Sequence, residues 1–146
     1  MAFFRGEEGS VLFNKTGTAA SDDTVVGTTG WSLSITKETL ETTDHGDTFR
    51  NYTGGLISGT GSVELMYTQG GASTHEAELI NDILDAPSTE AESANAQFKL
   101  YLDTAGTKGF TFDAIITGAE FGATVGDLQT VSCSFQTCGT IAGALE

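Results

Sequence analysis

The stretch Thr130-Val131-Ser132-Cys133-Ser134-Phe135-Gln136 alternates polar and apolar residues without an exception. A strand places successive side chains on opposite faces, so this heptapeptide predicts one buried and one solvated face. Four other runs share the period. Trp31, Leu33 and Ile35 alternate with Ser32, Ser34 and Thr36. Val63, Leu65 and Tyr67 alternate with Ser62, Glu64 and Thr68, with Met66 as the exception. Phe98, Leu100 and Leu102 alternate with Gln97, Lys99, Tyr101 and Asp103, and Phe110, Phe112, Ala114 and Ile116 with Thr111, Asp113 and Thr117. Half-buried strands of this kind predict antiparallel sheet. Weaker strands are expected at 10–14, 24–26 and 119–125, and residues 103–109 read as a hairpin connection.

One segment follows helical spacing instead. Ser73-Thr-His-Glu76 has the form of a capping box, and Ala77, Ile80, Ile83 and Leu84 lie on one face of the turns that follow. Glu78, Asn81, Asp82 and Asp85 fall outside, and Pro87 stops the run. A short amphipathic helix over about 74–85 is predicted, lying against a sheet, with a small polar loop over 88–96. The predicted fold class is mainly β, an antiparallel β-sandwich or rolled barrel with one short flanking α-helix, in a single domain spanning 1–146.

Composition agrees. A chain of 146 residues with 38% hydrophobic residues, nine Phe, 19 Gly and one Pro suits strands joined by glycine turns around one core. Six basic against twenty acidic residues give a net charge of −14, spread along the chain. Such a surface serves solubility or a salty medium and argues against nucleic-acid recognition, though it also suits a wall that DNA must pass without sticking. No run approaches the roughly 20 apolar residues of a membrane span. The first eight residues lack the basic and apolar regions of a signal peptide, which points to the cytoplasm and to reduced thiols at Cys133 and Cys138. Cys133 shares the apolar face of Val131 and Phe135 and reads as a small core residue.

Chemistry-bearing constellations are missing. His75 falls in the first helical turn, and Asp44-His-Gly-Asp47 has neither the ligand number of a calcium loop nor the spacing of a zinc site, so a turn explains it. No nucleophile elbow, phosphate loop or dinucleotide fingerprint occurs. The expectation is a non-enzyme with no catalytic residue, no metal and no cofactor. Residues 38–61 form a polar, Thr- and Gly-rich stretch with little alternation, read as a long loop. Loops of such length are functional or disordered, and Phe49, Arg50 and Tyr52 are residue types enriched in protein contacts.

The linear order carries a resemblance. A strand opening at Gly30-Trp31 leads to Lys37-Glu-Thr-Leu-Glu-Thr-Thr-Asp44, Gly46-Asp-Thr-Phe-Arg-Asn-Tyr52 and Gly54-Gly-Leu-Ile-Ser-Gly-Thr-Gly61, which runs into a strand. A lone helix, a strand pair and a late strand with Ser132-Cys-Ser-Phe-Gln136 and Gly139 follow. This order resembles the major tail tube proteins of tailed bacteriophages, above all those of long-tailed, non-contractile phages. The likeness runs from about Gly30 to Gly139 and rests on order, not on a diagnostic residue; the segment before Trp31 matches little. It implies a structural subunit that assembles into stacked hexameric rings around an acidic channel for DNA passage. The strands of all subunits would join into one inner barrel. A loop at about 41–59 would bridge subunits, with Asp47, Phe49, Arg50, Tyr52 and Leu56 as contacts. Glu64, Asp113 and Glu120, on polar strand positions, would be lumen-facing acids. The implied partners are further copies of the chain, other tail proteins at the tube ends and DNA that slides past unbound, with no membrane; the implied location is the virion tail, after synthesis in the host cytoplasm. Two alternatives stay open: a phage head-decoration or head–tail joining protein, and a carbohydrate-binding β-sandwich.

Overall fold

The computed structural model describes residues 5–15, 19–20, 23–25, 27–67, 76–81, 84, 96–103 and 108–145. Among these residues six strands carry the fold: β1 (Ser10–Asn14), β2 (Thr28–Glu41), β3 (Tyr52–Met66), β4 (Ala96–Asp103), β5 (Lys108–Gly122) and β6 (Thr130–Ala144). One helix, α1 (Glu76–Asn81), stands between β3 and β4. The strands form a single sheet in the order β1-β4-β5-β6-β3-β2, with every pairing antiparallel. The mainly β expectation is met. The sheet is rolled: the edge of β1 bonds to the segment leading into β2, through Phe13 N–H to Asp23 O at 3.1 Å and Val25 N–H to Val11 O at 2.9 Å. Gly27, at φ 80°, then turns the chain into β2.

The roll encloses what the alternation supplies. Val131, Cys133 and Phe135 are buried on one face of β6, with Val63 and Leu65 beside them on β3. Phe98 forms the centre, with ring centroids 4.9 Å from Phe13 and Phe135 and 5.8 Å from Phe112. Tilted and offset aromatic contacts of this kind are worth about 0.5–1.5 kcal/mol each beyond the area they bury. The helix contributes Leu79, which is fully buried, while Leu84 is 79% exposed. Of the predicted face Ile80 does pack against the core, but Leu84 lies beyond α1 and Leu79, which the helical pattern left out, is the side chain the core encloses. Residues 73–75, 82–83 and 85–95, with the cap, the Pro87 stop and the polar loop, lie outside the described residues.

Other boundaries shift as well. The weak strand expected at 119–125 is the end of β5, and Val125 lies in the turn beyond it. In place of the weak strand expected at 24–26, Thr24 forms an isolated bridge to Leu12, and residue 26 lies outside the described residues. The alternation of β2 and β3 outlasts their burial, so Ile35 is 45% and Tyr67 50% exposed. The largest difference concerns the long loop. Residues 52–59 belong to β3 and residues 38–41 to β2, leaving only 42–51 as the connection. An alternating pattern arises when one face is buried; here both faces are wet, so nothing in the residue types marks the strands.

Candidate assembly surface

Beyond Ile35 and Gly59 the β2–β3 hairpin leaves the sheet and continues as a two-stranded arm. Pairing runs from Thr36–Ser58 and Lys37–Ile57 across a bulge to Thr39–Gly54, Leu40–Thr53 and Glu41–Tyr52. Among the described residues β3 pairs with β6 only from Thr60 to Met66, so residues 52–58 have no β6 partner on that edge. The tip is organised by Asp47. Its Oδ2 accepts from Asp44 N–H at 3.0 Å and from Asn51 Nδ2 at 2.9 Å, while Asp44 Oδ1 accepts from Gly46 N–H at 2.8 Å. Both carboxylates of Asp44-His-Gly-Asp47 thus serve the turn, as Asp side chains do when they hydrogen-bond nearby backbone. Thr42 N–H to Asn51 O at 2.8 Å and Asn51 N–H to Thr43 Oγ1 at 2.9 Å close the loop.

The arm holds all five residues expected to make contacts, and it displays their apolar members. Phe49 is 82% exposed, Leu56 76% and Tyr52 56%, with Leu40 and Ile57 also exposed. Apolar residues gathered on one projection make the arm a candidate interaction surface. Arg50 already lies 4.0 Å from Glu41 across the arm, an exposed pair that contributes little to stability.

The face of the sheet opposite the core is lined by small hydroxyls. Ser32, Ser34 and Thr36 stand opposite Ser62, Thr60 and Ser58, and Ser132, Ser134 and Gln136 continue the rows on β6. Two of these pairs are bonded, Ser32–Ser62 at 3.0 Å and Thr36–Ser58 at 3.2 Å. The three expected acids fall on this same face. Glu64 and Glu120 both pair with Ser132, one from each side, and Asp113 pairs with Cys138 further along. Two strand spacings put Glu64 and Glu120 about 10 Å apart, where solvent screens most of their repulsion. Glu120 reaches this face only because of a bulge: the register shifts between Ile116 and Gly118, so Thr117 is an extra residue that inverts the alternation. Of β2, Trp31 and Leu33 pack against the core.

Two further features were not anticipated. At the point where β3 and β6 diverge, Thr137 is buried and its Oγ1 both accepts from Gly59 N–H at 2.9 Å and donates to Gly59 O at 3.0 Å. Beyond it Gly139, at φ 79°, turns β6 away, with four β6 intervals from Cys138 to Ala142 set against two β5 intervals from Asp113 to Thr111. The fork so formed opens a groove of about 500 Å³ between arm and sheet. A Thr in an alternating strand gives no sign that it holds a neighbouring strand's end. The two thiols differ: Cys133 is buried, which pushes its pKa up, and Cys138 is exposed; both are free.

No family profile and no curated protein sequence matches the chain. Solved structures do. The tail of an empty gene transfer agent particle, refined with C6 symmetry, superposes with a TM-score of 0.67 at 14% identity, covering 96% of this chain and 98% of that one. The SPP1 tail tube gives 0.65 at 16% identity over 98% and 81%. A sheath–tube complex of an extracellular contractile injection system gives 0.66 at 15% over 97% and 92%. At such identities the likeness lies in the fold, and it extends over nearly the whole of this chain.

Proposed function

We propose that a chain with this tail-tube fold is the repeating subunit of a virion tail tube. The observation that carries the reading is end-to-end agreement with tube subunits, including the share of the partner chain covered. The surfaces fit the role. β2 is the sheet's terminal strand, and its free edge suits pairing with the next copy, which closes a ring and removes the edge. The sixfold symmetry of the gene transfer agent tail favours six subunits per ring. The hydroxyl-lined face then turns to the lumen with Glu64, Asp113 and Glu120 on it, and DNA passes without specific binding because the wall offers phosphates carboxylates and neutral hydroxyls. The arm reaches a neighbouring subunit, anchored by Phe49, Tyr52 and Leu56, with Asp47 shaping the tip and Arg50 supplying charge. The chain acts as a structural part, not as an enzyme, made in the host cytoplasm and built into the tail. Other tail proteins meet it at the tube ends, a role supported by the tube-terminating cap of an anti-feeding prophage, which shares the fold at a TM-score of 0.63 and 15% identity.

Negative-stain microscopy of the purified chain at high concentration tests this. Hollow tubes or stacked rings with a central channel are expected. A persistent monomer at all concentrations would overturn the reading.

A further inference from the structure

The groove at the fork has no occupant among the described residues, and its chemistry is matched at the far end of the same sheet. We propose that the β5–β6 tip of a second copy, residues 121–129, seats in this groove, so that subunits join head to tail along the strand direction. The inference rests on the tube reading and names the surfaces that meet when one ring stacks on the next.

The groove prolongs the core face past the fork. Ile35 and Ile57 continue the inward rows of β2 and β3, and Phe110 and Ile141 form the opposite wall. Its two walls are strand edges that diverge, since β3 pairs with β6 only as far as Thr60–Gln136 among the described residues. Backbone donors and acceptors on both sides are therefore available to an inserted segment, and the apolar floor supplies the burial.

The tip has the complementary form. Asp127 N–H bonds to Thr124 O at 3.1 Å, and Gly126 at φ 92° closes a tight turn that lifts Val125 to its apex. Val125 is 104% exposed and Leu128 72%, with Phe121 63% exposed at the base. A turn already held in shape loses little freedom on docking. Charge agrees too. Lys37 and Lys108 follow Ile35 and Phe110 on the same alternating rows, two of the six basic residues in the chain, while Glu120 and Asp127 flank the tip apolars. The tip lies where β5 ends and β6 begins; the groove lies where β5 begins and β6 ends. A contact between opposite ends is heterologous, so each copy that docks presents a fresh groove and the assembly propagates.

Cross-linking tests the pairing in the full chain carrying Cys138→Ser. One preparation carries Ile57→Cys, another Val125→Cys, and the two are mixed under assembling conditions and oxidised. A disulfide dimer is expected in the mixture and in neither preparation alone. Tubes without that cross-link would overturn the inference and leave the tube reading standing; a chain that neither assembles nor cross-links would overturn both. Val125→Asp, on an exposed turn, should raise the concentration needed for polymerisation about tenfold with an unchanged circular dichroism spectrum. Lys108→Glu should do likewise, and adding Asp127→Lys to it should restore assembly. Assembly of Val125→Asp at the unaltered concentration would count against the groove.

Discussion

Thr117 is one residue too many in β5, and that excess decides where a carboxylate goes. Phe112, Ala114 and Ile116 face the core, and unbroken alternation would carry Glu120 inward with them. A buried carboxylate without a partner is expensive, so the bulge keeps the charge in water and turns Phe121 and Ala119 toward the core side. Deleting Thr117 would straighten β5 while Gly118 and Glu120 keep Ser134 and Ser132 as partners, so Glu120 should stay in water and the variant should unfold in urea within about 1 kcal/mol of the unaltered chain. Thr137 works at a smaller scale. Thr137→Val keeps the shape but leaves Gly59 N–H without its acceptor in a buried site, while Gln136 Nε2 still donates to Gly59 O at 3.0 Å. The expected loss is about 1–3 kcal/mol in the same measurement. Cys133 gives a pH test with a definite sign. Burial raises its pKa, so the folded state holds the proton longer than the unfolded chain. Its contribution is complete below the ordinary thiol value of about 9 and is lost as pH rises through the folded value. Thiol reagents at neutral pH should label Cys138 in the native protein and reach Cys133 only on unfolding.

Among the elements, the arm and the sheet respond to different forces. The sheet is held by a packed phenylalanine cluster; the arm is held by ladder bonds and a tip that Asp47 organises, with its apolar residues turned outward. Among the described residues no core side chain comes from 38–56, and Val63 and Leu65 begin the apolar buried part of β3 beyond the fork. Replacing 38–56 by Asn-Gly, which joins Lys37 to Ile57 through a two-residue hairpin turn, should leave a folded monomer that no longer polymerises. Sedimentation velocity and circular dichroism separate that outcome from simple unfolding. Tubes formed by the armless chain would show that the arm is dispensable.

At the scale of the whole molecule the proposed assembly must bring together copies that each carry a charge of −14. Its answer is segregation: the surfaces proposed to meet are apolar or backbone edges, and the sheet face proposed for the lumen carries three acids among many hydroxyls. Like-charged subunits still repel at long range, so raising the salt from 10 to 150 mM, which shortens the screening length from roughly 30 to 8 Å, should promote tube growth in light scattering. Reversing Glu64, Asp113 and Glu120 to Lys together leaves the core untouched, since all three are exposed strand positions. Tubes of that variant should still form and should retain duplex DNA that the unaltered tubes release.

Alternation determined by itself that this chain is antiparallel β, which strand faces are buried and that Cys133 is a core residue, because a pattern appears wherever one face is dry and the other wet. It also placed Glu64 and Asp113 on the solvated side. The arm, the fork at Thr137, the bulge at Thr117 and the choice of Leu79 over Leu84 came from tertiary structure alone. A strand wet on both faces leaves no periodic trace, and a bulge is fixed by the register of its neighbours. Which side chain a short helix buries is settled by where it docks on the core.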